Sequence, residues 1–186
     1  MSLATLGANE SIGSPQAPIK VEVFADFECP QCRVFYLTTA RQLIDNYVSS
    51  GKVYLIHINF PLSMHPYSKD AARWSSAAAA VSARDYEAVE LALYEKQDVW
   101  AANGQVEAVV AGALSPEDMK KVRAIEMNDR SELDAYIAHD LALGVSRHVD
   151  GTPTIFVTHA GQTTPLPTGG VSYDLLKQYL DYLLKH

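Results

Sequence analysis

The fold turns on residues 19–35, IKVEVFADFECPQCRVF. Its first half alternates. Val21, Val23, Ala25 and Phe27 fall on one face and Phe24 on the other, as in a strand. The strand stops at Cys29-Pro30. Pro30 suits the first position of a helix, where its missing N–H would have had no partner. The helix is expected to run to about Ser50, with Val34, Phe35, Leu37, Leu43, Ile44 and Tyr47 as its apolar positions and Gly51 closing it. Next comes KVYLIHINFPL, Lys52 to Leu62, apolar on both faces as a central strand would be. Strand, helix and strand predict a parallel βαβ unit with a right-handed crossover.

Beyond this unit the chain turns helical over residues 66–147. YSKDAARWSSAAAAVSAR is rich in small residues and good helix formers, and DYEAVELALYEKQ follows. SPEDMKKVRAIEMN opens with Ser115 as cap and Pro116 at the first helical position. SELDAYIAHDLALG is expected to end on Gly144. Strands then resume. TPTIFVTHAG, Thr152 to Gly161, reads as a strand and turn, and TTPLPTGG could pair with it. A last amphipathic helix, SYDLLKQYLDYLLKH, is expected to turn Leu175, Leu176, Tyr179, Leu180, Leu183 and Leu184 inward. Residues 1–18, rich in Gly, Ser, Pro and Asn, read as a leader or linker. The expected division is therefore a leader over 1–18, an α/β domain over 19–65 and 148–186, and an inserted helical domain over 66–147.

Composition narrows the function. The chain has 186 residues, 48% of them hydrophobic and 20% charged, enough for one good core. Its formal net charge is -7, and no block of Lys and Arg forms a basic patch, so nucleic acid is not an expected partner. No apolar run reaches the length of a membrane span. The opening residues lack the basic and apolar regions of a signal peptide, and MSL resembles a cloning remnant. A natural export signal or anchor would lie upstream of it.

Cys29 and Cys32 are the only cysteines. Cysteine reacts as thiolate, and its free pKa is about 8.5. At the start of a helix Cys29 faces unpaired backbone N–H groups and the positive end of the macrodipole, both of which lower that value. Cys32, one turn into the helix, can donate a hydrogen bond to the Cys29 sulfur. These features favour a redox pair with Cys29 as nucleophile and Cys32 as resolving thiol. Two other readings stay open. A structural disulfide here would close a loop of a few residues and constrain the unfolded chain little. A zinc site would need two further ligands, and the six histidines, at 57, 65, 139, 148, 159 and 186, include no pair spaced three or four apart. No metal is expected. His65 in SMHP is read chiefly as a hydrogen bonder at a helix entry, and His57 as a satisfied core residue. Trp74, Tyr36 and Tyr67 are read as core or rim rather than as a peptide groove.

The order of these elements resembles the DsbA-like thioredoxin-fold oxidoreductases. Three segments carry the likeness: APIKVEVFADFECPQCRVF, FPLSMHPYSKDAARWSSAA and LGVSRHVDGTPTIFV. C-x-x-C alone is a weak signal. Joined to Thr152-Pro153-Thr154 about 120 residues later, in this order of elements, it is a strong one. The likeness covers roughly residues 13–186. It implies a thioredoxin fold with helices inserted between its βαβ and ββα halves. It further implies a catalytic pair at Cys29 and Cys32, a cis-proline at Pro153, and Pro30, Gln31 and Thr152 as supporting residues. Thr152 would offer its backbone to an extended substrate by strand addition. The chain departs from DsbA at two places. Gln31 stands where DsbA has His, and Val23 stands where DsbA has a buried acid six residues before the first cysteine.

The resemblance thus predicts a monomeric, periplasmic or otherwise extracytoplasmic thiol–disulfide oxidoreductase, acting as a dithiol oxidant on protein or peptide thiols. A membrane or soluble redox partner would recycle it, and no cofactor is required. The other readings are a thioredoxin-like reductant or isomerase, or a non-catalytic peptide-binding or chaperone module on the same scaffold.

Overall fold

The computed structural model describes residues 3–186. Helix α1 (Leu3–Asn9) leads into a short strand β1 (Ser11–Ile12), and β2 (Ile19–Ala25) follows. Helix α2 covers residues 30–48, beginning with Pro30–Phe35 and widening twice into i→i+5 turns, at Tyr36–Ala40 and Ile44–Val48. It closes at Gly51, which takes a φ of 72°, a conformation glycine adopts without steric cost. Strand β3 (Val53–Asn59) runs parallel to β2 with Val23 opposite His57.

The inserted helices are α3 (Ser68–Val81), α4 (Ala83–Glu95), α5 (Gln97–Trp100), α6 (Val106–Ala113), α7 (Pro116–Asn128) and α8 (Arg130–Ser146). Strands β4 (Thr154–His159) and β5 (Gln162–Pro165) form an antiparallel hairpin, with α9 (Tyr173–Leu183) last. The sheet order is β1-β3-β2-β4-β5. This is a thioredoxin-like α/β core with a helical bundle inserted between its halves, as the order of sequence elements predicts.

The alternation along β2 sorts the two faces of the sheet. Val21, Val23, Ala25 and Phe27 join the main core with Leu43 of α2, Ile155 of β4, and Leu176 and Leu180 of α9. Phe24 turns to the other face and packs with Ile58, Phe60, Val149 and Phe156. Phe24 meets Phe60 and Phe156 edge-on. Arg147 covers this smaller cluster, its guanidinium 5.5 Å from the Phe156 ring centre and 3.0 Å from Glu22.

Three expectations are corrected. Residues 3–12 are not a loose leader. Leu6 is buried in the main core, β1 pairs antiparallel with β3, and the buried Glu10 carboxylate accepts bonds from Ser76, Tyr136 and Asn59. A segment of small polar residues gains its structure from such long-range contacts, which local composition does not report. Leu175 is exposed in the first turn of α9, whereas Leu176 and Leu180 carry the buried face. Gly144 does not end α8, which continues to Ser146. The glycine is there for space: a Cβ at that position would sit 2.4 Å from the Phe60 ring and 3.3 Å from Phe24.

Gly144→Ala therefore sets a helix-propensity gain of about 1 kcal/mol against overpacking that costs about 1–3 kcal/mol. The expected outcome in urea unfolding is a lower midpoint. An unchanged or higher midpoint would show that Phe60 yields freely.

Candidate active site

Cys29 is the N-cap of α2, with φ -72° and ψ 122°, and Pro30 occupies the first turn. The loop before it is fixed by its own backbone and by the insertion. Cys29 N–H donates to Asp26 O at 3.1 Å. Gln97 of α5 donates its amide to Phe27 O at 2.7 Å and to Cys29 O at 3.0 Å. Gln31 is exposed. Thr152 arrives from the segment before β4, and its carbonyl lies 3.5 Å from Cys29 Sγ. The Thr152–Pro153 peptide bond is cis. The structure thus brings Cys29, Cys32, Thr152 and Pro153 together from opposite halves of the fold.

The two thiols meet opposite electrostatics. A hydrogen bond from Cys32 is the largest influence on Cys29. Burial opposes it, and the neighbouring Thr152 and the backbone of Cys32 and Gln31 at the helix start act with it. The net effect lowers the Cys29 pKa from 9.0 to about 5. Burial pushes Cys32 well above 9.0, and the bond to Cys29 and the charge on it push the same way. Asp26 N–H reaches the Cys32 sulfur at 3.4 Å. One thiol is ionised at neutral pH and its neighbour keeps its proton, the condition under which one sulfur attacks and the other follows.

Sequence reasoning missed much of the support. Asp26 is fully buried, and its carboxylate accepts from Glu28 N–H at 2.8 Å, Leu62 N–H at 2.9 Å and the Ser68 hydroxyl. His65 Nδ1 lies 2.7 Å from the same group, so this histidine is bonded at the helix entry. Glu28 turns away from the sulfur and accepts from Tyr67 N–H at 2.8 Å. Burial raises its pKa against that bond. The signal was present as two acids, Asp26 and Glu28, inside an otherwise apolar run.

Tyr36 is buried and stacks on Tyr94. Trp74 is buried too, beside a cleft of about 620 Å³ edged by α6 and α7 residues and holding neither thiol. His57 is not fully satisfied: its Nδ1 is 3.1 Å from Glu90, but its buried Nε2 has no partner. Among the described residues no group of three or more His, Cys, Asp or Glu is placed to hold a metal ion.

A family model described as thioredoxin matches residues 5–175. The chain belongs to the thioredoxin family. Within it the chain is DsbA-like. The "probable disulfide bond formation protein D" of Bacillus anthracis is 28% identical over 187 residues, covering 95% of this chain and 78% of that protein. Its counterpart in Bacillus cereus is 26% identical over 183 residues, with 95% and 79% covered. Among solved structures, oxidised BdbD from Bacillus subtilis superposes with a TM-score of 0.78 at 20% identity, covering 100% of this chain and 96% of that one. Wolbachia pipientis α-DsbA1 gives 0.73 at 21% identity, with 95% and 90% covered. At those identities the structures speak for the fold. The thioredoxin-fold pair here is the centre of a thiol–disulfide oxidoreductase.

The split between the thiols has a pH signature. In the unfolded chain Cys29 titrates near its ordinary value, and in the folded reduced protein near 5. Between those values the unfolded state binds more protons, so this thiol's contribution to stability rises with pH and is lost as pH falls through about 5. The oxidised protein has no such thiol to titrate. The stability of reduced minus oxidised protein should therefore increase from pH 5 to 8 in paired denaturation curves. Iodoacetamide trapping of the reduced protein should lose Cys29 reactivity with a midpoint near 5. A midpoint above about 8, the free-thiol range, would remove Cys29 as the nucleophile.

Proposed function

We propose that the protein is a dithiol oxidant of extracytoplasmic proteins, with Cys29 as the attacking and attacked sulfur and Cys32 as the resolving thiol. The observation that carries this reading is the placement of Cys29 at the N-cap of α2, 3.5 Å from the Thr152 carbonyl, with Cys32 buried one turn behind it. A substrate thiolate attacks Cys29 Sγ of the disulfide, the Cys29–Cys32 bond breaks, and Cys32 leaves. A second substrate thiolate attacks the substrate sulfur of the mixed disulfide and releases Cys29 as thiolate. The substrate gains a disulfide and the enzyme is left as a dithiol.

Thr152 and Pro153 form the substrate-facing wall of the site, with Thr152 supplying backbone polar groups to an extended chain. Pro30 and Gln31 shape the rim of the helix start. Beside them an open groove of about 250 Å³ is lined by Gln31, Val34, Thr38, Gly170 and Val171. Its exposed Val34 suits apolar side chains of an unfolded protein. Among the described residues no helix is long and apolar enough to cross a membrane. Re-oxidation falls to a separate redox partner, membrane-bound in the DsbA-like scheme. The names of the Bacillus relatives, which refer to disulfide bond formation, favour the oxidising direction.

Anything that stabilises the Cys29 thiolate stabilises the reduced enzyme and makes its disulfide more oxidising. A value near 5 lies between roughly 3.5 for DsbA and roughly 7 for thioredoxin. The corresponding potentials are about -120 and -270 mV, so a potential of roughly -150 to -230 mV is expected. The direct test is oxidation of a reduced, unfolded substrate protein by stoichiometric oxidised enzyme. Cys29→Ser should abolish it. Gln31→His places a cationic donor beside the sulfur and should move the glutathione equilibrium to a more positive potential, by about 30 mV for every 1.4 kcal/mol of added thiolate stabilisation. A negative shift, or none, would detach residue 31 from the redox poise.

A further inference from the structure

Gln97, the first residue of α5, is buried. Its terminal nitrogen lies 2.7 Å from Phe27 O and 3.0 Å from Cys29 O. Two carbonyl oxygens at such distances admit only the NH2 end of the amide, since its oxygen cannot donate. An amide withdrawn from water is costly unless it is bonded, and here the NH2 group is committed to the loop that carries the first cysteine. The platform behind it is fixed. Trp100, at the other end of α5, is fully buried, and its ring N–H donates to Leu93 O of α4 at 2.7 Å.

The bond to Cys29 O falls on a peptide plane with few handles. Residue 30 is proline, so that plane has no N–H and its carbonyl is its sole polar group. Arg33 N–H also donates to this carbonyl, at 3.1 Å, but it belongs to α2 and moves with it. Gln97 ties the plane to a different element. The orientation of the plane is the ψ angle of Cys29, which stands at 122°. An extended ψ at the N-cap sets the side chain over the N–H groups two and three residues on, here those of Gln31 and Cys32. Their backbone is among the influences that favour the Cys29 anion.

We propose that Gln97 is a positioning residue for the redox reaction, holding Cys29 in its helix-capping conformation whenever the active-site disulfide is open. Both cysteines are free thiols in this structure, and nothing covalent fixes Cys29 to the first turn. In the closed disulfide the bond to Cys32 fixes it, and the Gln97 bonds become partly redundant. Their loss therefore weakens the reduced protein and the mixed disulfide more than the oxidised protein. Whatever destabilises the reduced form relative to the oxidised form makes the disulfide less oxidising. The insertion thus sets the redox poise through the backbone of Cys29 rather than through either sulfur.

The inference rests on Cys29 as the reactive thiolate, and one set of measurements separates the two. Gln97→Met keeps an unbranched side chain of similar length and removes the donor. Equilibration with glutathione at pH 7 should place the variant about fivefold further toward the disulfide than wild type, the scale of one hydrogen bond. Fivefold is about 20 mV toward negative potential for this two-electron couple. The same factor raises the Cys29 pKa by about 0.7 unit, read from iodoacetamide trapping against pH. Urea unfolding should show a larger loss of stability in the reduced variant than in the oxidised one. Equal losses in both forms, with potential and pKa in place, would make Gln97 purely structural and overturn the proposal. A wild-type protein that fails to exchange with glutathione would instead remove the redox reading itself, and the proposal with it.

Asp98→Asn is the control for α5 as a whole. It breaks the 2.6 Å contact between Arg33 of α2 and Asp98 of α5. Removing a carboxylate favours a nearby anion, so this variant should move the potential positive or not at all. A negative shift equal to that of Gln97→Met would assign the effect to loosened packing of α5 and overturn the proposal.

The wild-type protein tests the proposal even if Gln97→Met fails to fold. In the reduced protein the side-chain amide protons of Gln97 should exchange with deuterium far more slowly than those of the exposed Gln31. Exchange as fast as that of Gln31 would mean that the bonds do not hold the open form, and would overturn it.

Discussion

Asp26 is the constraint on which the active site depends. A carboxylate removed from water costs several kcal/mol unless its oxygens are bonded. Here Glu28 N–H, Leu62 N–H, the Ser68 hydroxyl and the His65 ring converge on it. They come from the loop before α2, the segment after β3 and the start of α3. Satisfying one buried charge therefore fixes three chain segments relative to the end of β2. The same residue lends its carbonyl to Cys29 N–H and its own N–H to the Cys32 sulfur. The loop that presents the thiols is therefore held by Asp26 on the side of the insertion.

From that anchoring follows the asymmetry of the pair. Both sulfurs are largely buried, and burial alone would raise both thiols. Cys29 escapes because the Cys32 thiol, and secondarily its place at the helix N-terminus, favour its anion. Cys32, one turn in, meets the same neighbour as an anion and is pushed further up. The negative charge is thus favoured on one sulfur by its place at the start of the helix that opens with Pro30. Carboxylates nearby could have opposed it. Glu28 is committed to Tyr67 N–H instead, and Asp26 to its four partners.

What could be read beforehand was whatever has a local cause. The period-two pattern of β2, Pro30 at the helix start, the Ser115-Pro116 cap and the glycine at 51 each act within a few residues. Each appears in the structure where the sequence places it. The Cys29–Cys32 pair was legible for the same reason, and the link to Thr152-Pro153 came from family likeness rather than from local physics. What escaped was tertiary. Charged residues are ordinarily exposed, so Glu10, Glu90 and Asp140 gave no sign of burial. Gln97 looks like any helix residue until its amide is seen bonded to the carbonyls of Phe27 and Cys29. Gly144 looked like a terminator because only the Phe60 ring explains it otherwise. Leu175 and Leu176 are indistinguishable by type, and only the rotation of α9 separates them.

The insertion is therefore a working part of the site as well as a cover for the sheet. Its α3 supplies a donor to Asp26, its α5 clamps the cysteine loop, and its α4 places Glu90 beside the strand residue His57. Glu10 binds the segment after α1 to the same buried polar seam, and burial, opposed by the bond from Ser76, carries its pKa up to about 7. A polar seam of this kind is costly if any member lacks its partner. That cost ties the position of the helices to the position of the sheet: moving the insertion outward would part Glu90 from His57, Glu10 from Ser76 and Tyr136, and Asp140 from Asn59. The bundle and the thioredoxin-like core must then form together, and the geometry around Cys32 follows from that joint closure.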